Sequence, residues 1–143
     1  AIEIAYAALG LPDGARVGVP TWTFASSALA PHHHGALPVL LDVDADTLNV
    51  SAAAIEAALD DGLDAVVLVH FGGVLVPKAV FDLCASAGVA VIEDAAHALG
   101  ARDERGLALG KGTVGACLSF SGSAFGTLIF TMSAPSSLAT RAA

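Results

Sequence analysis

Two adjacent acids, Glu93 and Asp94, end the apolar run Val89-Ala90-Val91-Ile92, and Ala95-Ala96-His97-Ala98-Leu99-Gly100-Ala101 follow them. In an open parallel sheet, ligands sit just beyond the carboxyl ends of the strands. A carboxylate there, backed by residues as small as Ala95 and Ala96, can approach a flat ring without steric hindrance. Asp94 is therefore the first candidate for a cofactor contact. The plainer reading of an isolated Glu-Asp pair is that it caps the segment after it.

The elements that must position Asp94 alternate between strand and helix. Ala1 to Leu9 is apolar on nearly every face, which predicts a helix needing protein on all sides, and Gly10 stops it. Arg16 to Val19 is a short strand ended by Pro20, and Thr21-Trp22-Thr23-Phe24-Ala25-Ser26-Ser27 leads into a helix that Pro31 and His32-His33-His34 break or shorten. Leu37 to Val43 is a strand; Ser51 is a good N-cap for a helix over Ala52 to Leu59. Asp64 to His70 is a buried strand, Phe71-Gly72-Gly73 a loop, and Pro77 opens a helix that Gly88 terminates. Val89 to Ile92 is the strand that carries Asp94, with further strands at Thr113 to Phe120 and Leu128 to Thr131. This βαβ spacing predicts an α/β domain, a mostly parallel sheet flanked by helices.

Composition narrows the function classes. The 143 residues fit one domain, and the hydrophobic fraction is 55%, with a mean hydropathy of +0.73. Residues 17–41 and 112–140 lack Asp, Glu, Lys and Arg, but prolines, glycines and hydroxyl residues interrupt both. Strands buried on both faces explain the hydropathy better than membrane spans do. A net charge of −8 with only six basic residues speaks against a nucleic-acid surface. Cys84 and Cys117 match no metal or redox spacing and fit small core residues of a reduced, cytoplasmic protein. Adjacent histidines point in different directions, so the His32–His34 triplet is a poor metal site, and none is expected. No basic leader precedes the first helix, and a chain opening inside a helix is expected to be a fragment.

The order of segments resembles the DegT/DnrJ/StrS aminotransferases, fold-type I enzymes that use pyridoxal 5'-phosphate (PLP), mostly on nucleotide sugars. Four blocks carry the resemblance: Val19 to Ser27; Pro38 to Asp44 with Thr47-Leu48-Asn49; Val69-His70-Phe71-Gly72; and Val91 to Ala101. A fifth, Ala116-Cys117-Leu118-Ser119-Phe120, resembles the strand leading to the cofactor lysine. The resemblance implies that Asp94 holds the proton of the pyridine nitrogen and that His97 sits near the ring's 3-hydroxyl. It also implies that Phe24 stacks on the ring, where the alternative is an ordinary core phenylalanine, and that Ser119 donates to the phosphate. His70 and Gly72 would shape the loop beside the pocket, and Trp22 could be pocket or core. A homodimer, a nucleotide-sugar substrate and an amino-acid amino donor come with the family.

Two departures stand out. The family lysine lies five residues after the serine, and that position is Ala124; the chain's lysines are Lys78 and Lys111, neither of them in place. A related sugar-dehydrating branch carries histidine there, which Ala124 is not. The family's N-terminal phosphate loop and C-terminal small domain also have no counterpart, so residues 1–143 are expected to be one partial domain, the central part of the large PLP-binding domain. The function implied is a fragment or homologue of a PLP-dependent aminotransferase of keto sugars, inactive alone for want of the lysine. The alternative is a non-catalytic PLP-binding or assembly protein that retains the fold.

Overall fold

Short β-branched runs and apolar-striped helices alternate, and each strand finds its neighbour in a parallel ladder. The structure, a computed structural model, describes residues 1–103, 106, 109–121, 124–125 and 130–131. Its strands are β1 (Arg16–Pro20), β2 (Leu37–Leu41), β3 (Ala65–Val69), β4 (Ala90–Asp94), β5 (Gly115–Cys117), β6 (Phe120–Ser121), β7 (Ala124–Phe125) and β8 (Phe130–Thr131). Its helices are α1 (Ile2–Leu9), α2 (Ser26–His33), α3 (Ala52–Asp60) and α4 (Lys78–Ala87). Six strands form one sheet in the order β2-β1-β3-β4-β5-β8, all parallel except β8; β6 and β7 pair as a separate hairpin.

Period-two alternation divides the core into two layers. Val17, Val19, Ala65, Val67, Val69 and Ile92 pack with Ala5, Tyr6 and Leu9 of α1 and Ala30 of α2. On the other face, Val66, Leu68 and Val91 pack with Ile55 and Ala58 of α3 and Val80 and Cys84 of α4. At Gly18, in the middle of β1, an added Cβ would come within 2.7 Å of Leu41 and 3.1 Å of Val66. Glycine thus leaves room for the Leu41 and Val66 side chains of the flanking strands to close over β1.

Local signals in the sequence act as expected at several ends. Ser51 caps α3 by accepting from the Ala54 N–H at 3.1 Å, and Gly10 ends α1 in the left-handed region. The first helix buries Ala5, Tyr6 and Leu9 and leaves Ile4, Ala7 and Ala8 exposed, so only one stripe of this apolar helix finds a partner within the chain. The second helix is short, as expected: it passes Pro31 and ends in the histidine run at His33. One expectation is corrected. The expected strand over Thr113 to Phe120 is split into β5 and β6, because Leu118 and Ser119 leave the ladder and turn into a cavity. Leu128 and Ile129 of the expected last strand lie outside the described residues.

The histidine triplet fans out. His33 pairs with Glu3 at 2.8 Å, and His34 stacks on Tyr6. Among the described residues no helix is long and apolar enough to cross a membrane.

Candidate active site

The chain runs from β1 outward to β2 and then returns to β3 on the other side of β1, which opens a crevice beyond the carboxyl ends of the strands. The segment after β1 brings Thr23, Phe24 and Ser26 to that crevice, the one after β3 brings Phe71, and the one after β4 brings Asp94 and His97. Ser119 follows β5. All four residues singled out from the sequence, Phe24, Asp94, His97 and Ser119, line one cavity of about 520 Å³, within the usual range for small-molecule sites.

Asp94 ends β4 with its side chain on the α1/α2 face, in register with Cys117. Its Oδ1 accepts from the Ala96 N–H at 3.1 Å and its Oδ2 from the Ser27 hydroxyl at 3.2 Å. Burial pushes the carboxyl above its ordinary range, against those two hydrogen bonds and the nearby rings of His97 and His70. An ionised carboxylate can accept about four hydrogen bonds, so Asp94 retains acceptor capacity on its cavity side. Neither lysine offers it a cation. Both Lys78 and Lys111 line a different cavity, of about 310 Å³, on the α4 side of the sheet. A protonated ring nitrogen is the partner that this carboxylate lacks, and in that respect the residues fit PLP.

His97 is held from behind. Its Nδ1 accepts from the Gly72 N–H at 3.2 Å, and Phe71 meets its ring edge-on at 5.6 Å. Because Nδ1 accepts, Nε2 is the nitrogen that carries the hydrogen. Phe24 is 76% exposed at the cavity wall, which excludes the reading of an ordinary core phenylalanine. Trp22 is 54% exposed, which excludes the core, and its ring meets Phe71 of the cavity wall edge-on. Cys117 lines the cavity, but burial pushes its thiol up to about 12, which keeps it protonated and a poor nucleophile.

Glu93 looks the other way. Its Oε1 accepts from the Gly110 N–H at 2.9 Å and the Thr113 hydroxyl at 2.7 Å, and its Oε2 meets His70 Nε2 at 3.0 Å. His70 Nδ1 accepts from the Val76 N–H at 3.1 Å, so Nε2–H donates to Glu93. This closed network ties the loop after β3 to the loop before β5.

Two residues that matter here lie in the matched blocks but were given no role from the sequence. Ser27 is fully buried and touches Asp94; its only sequence signal is a hydroxyl four residues after Thr23 on a helix start. Asn49 is 1% exposed; its Oδ1 accepts from the Phe71 N–H and its Nδ2 donates to the Val74 carbonyl, both at 2.9 Å. It is delivered there by a turn in which Asp44 accepts from Thr47 and Leu48 takes a left-handed φ of 58°.

Compared with known proteins, residues 1–128 match the profile of the DegT/DnrJ/EryC1/StrS aminotransferase family. The chain belongs to that family. Over 103 residues it is 39% identical to the 3-amino-5-hydroxybenzoate synthase of Amycolatopsis mediterranei (strain S699), covering 71% of this chain and 26% of the relative. A crystal structure of 3-amino-5-hydroxybenzoic acid synthase superposes with a TM-score of 0.77 at 34% identity, over 84% of this chain and 31% of that one. DesV of S. venezuelae does so with a TM-score of 0.75 at 32% identity, over 83% and 32%. The chain thus spans about a quarter of the length of that curated relative. Members of this aminotransferase family use PLP, and the parallel sheet described above corresponds to part of their structures.

Proposed function

We propose that this chain is a partial PLP-dependent aminotransferase domain that holds the cofactor non-covalently in the Asp94 cavity and does not complete transamination by itself. The observation that carries the reading is the convergence of Phe24, Asp94, His97 and Ser119, drawn from three separate segments, on one cavity with a buried carboxylate at its base.

PLP, when bound, supplies an electron sink for bond breaking at an amino-bearing carbon, most effectively with its ring nitrogen protonated. Asp94 holds that proton at the nitrogen. His97 offers its Nε2–H to the 3-hydroxyl, and Ser119 donates to the phosphate. Phe24 covers one ring face and excludes water from it. Position 124, where the family carries its lysine, is alanine. The chain therefore has no amine there to bond the cofactor or to move a proton at the substrate carbon. In a complete site the amino group passes from an amino acid to a keto sugar carried on a nucleotide. A second copy of this chain is the expected partner.

Ala124 also favours a second reading, a non-catalytic protein that keeps the fold for binding or assembly. An absorbance titration with PLP separates the two. Saturable binding, weakened at least about tenfold in Asp94→Ala, is expected from loss of a charge-assisted contact. A folded chain that self-associates but binds no PLP would overturn the first reading and select the second.

A further inference from the structure

We propose that Ser27 is a positioning residue for Asp94, the inner link of a hydroxyl chain running from Thr23 through Ser27 to the carboxylate. Ser27 Oγ lies 3.2 Å from Asp94 Oδ2 and 3.0 Å from Thr23 Oγ1. Ser27 is fully buried at the start of α2, where a hydroxyl without a partner would be costly.

The direction of the chain follows from donor arithmetic. A hydroxyl has one hydrogen to give. An ionised Asp94 can only accept, so Ser27 gives its hydrogen to Oδ2, and Thr23 must then give its own to Ser27. Thr23 is half-buried and lines the cavity, so the outer end of the chain reaches the ligand space. The chain thus favours the charged carboxylate that burial disfavours, and it fixes the side-chain rotamer that aims Asp94 into the cavity.

Other groups act on the same carboxylate. The rings of His97 and His70 favour its charged form. The Cys117 thiol faces it from β5, and the amino group of Ala1 and the Glu3–His33 pair lie along the same cavity. Glu93 is its chain neighbour on the opposite face. None of these supplies a hydrogen bond to Oδ2, which is why Ser27 has a separable effect.

The inference rests on the reading of Asp94 as the ring-nitrogen carboxylate, but its first test needs no cofactor. Carbon-13 NMR of aspartate-labelled, PLP-free chain follows the Asp94 carboxyl through its titration in the wild type, Ser27→Ala, Ser27→Thr and Thr23→Val. The midpoint is expected to rise in Ser27→Ala, to return in Ser27→Thr, and to rise by less in Thr23→Val. With PLP added, Ser27→Ala is expected to bind about tenfold more weakly, as the loss of one charge-assisted hydrogen bond implies, with Ser27→Thr near wild type. A folded Ser27→Ala whose Asp94 midpoint does not move overturns the proposal. If that variant does not fold, an unmoved midpoint in Thr23→Val does the same. A wild type that binds no PLP overturns the proposed function while the cofactor-free titration still decides the role of Ser27.

Discussion

Glu93 and Asp94 are neighbours on β4 whose carboxylates lie on opposite faces of the sheet, one enclosed by Gly110, Thr113 and His70, the other against Ser27. A one-residue offset in a strand reverses the face, so one pair of acids serves two separate purposes. Glu93 is saturated with donors and structural. Asp94 has acceptor capacity left and faces the cavity.

Glu93→Ala removes the acceptor shared by the Gly110 N–H, the Thr113 hydroxyl and His70 Nε2–H and should cost about 3 kcal/mol of stability, about 1 kcal/mol for each bond lost. Glu93→Gln should also be costly. His70 Nδ1 is occupied by the Val76 N–H, so the ring cannot change tautomer to accept from the new amide. Urea denaturation measures both. A loss below about 1 kcal/mol in Glu93→Ala would show that the network does not hold the two loops.

Asp94→Asn should trade function for stability. Burial raises the Asp94 carboxyl above its ordinary range, so folding favours its protonated form. Between that ordinary range and the raised value, the folded chain binds more protons than the unfolded one, and stability falls as pH rises. Free of PLP, Asp94→Asn should therefore melt higher than wild type at neutral pH. The gap should close below the ordinary aspartate range. Thermal scans across pH check this, and a gap that widens toward acid would reverse the sign.

The Tyr6 hydroxyl is buried in the α1 layer with no hydrogen-bond partner among the described residues, and burial raises its ionisation upward. Removing it should relieve a desolvated polar group. Tyr6→Phe is expected to stabilise the chain by about 1 kcal/mol. Calorimetry that finds it destabilised by as much would reveal a partner for the hydroxyl.

Asn49→Ala should loosen the loop that backs His97. Without the amide, the Phe71 N–H and Val74 carbonyl lose their partner, and Gly72 loses the support that presents its N–H to His97. Amide exchange at Phe71 and Gly72 should accelerate while β3 and β4 stay protected. Uniform acceleration across the sheet would mean that Asn49 supports the core and not the loop.

Much of this was legible in the sequence, for reasons that differ residue by residue. The βαβ order showed because buried parallel strands read as unbroken apolar runs, Ala65 to Val69 above all. Asp94 stood out as a candidate because it ends a strand beside small residues within a block that resembles the family's. Glu93 did not, since its partners are 17 to 23 residues away and only sheet register brings them together. Ser27 was hidden among other hydroxyls, because which of Thr23, Ser26 and Ser27 turns inward depends on where α2 begins. The run from Thr113 to Phe120 read as one strand because nothing in its composition marks the point where Ser119 swings into the cavity.

The most direct measurement is borohydride reduction of the chain saturated with PLP, followed by intact mass under denaturing conditions and an assay for amino-group transfer. Non-covalent binding at the Asp94 cavity, with alanine at position 124, should leave the protein at its unmodified mass after reduction and give no turnover. A cofactor adduct fixed to Lys78 or Lys111, together with measurable transfer, would contradict it.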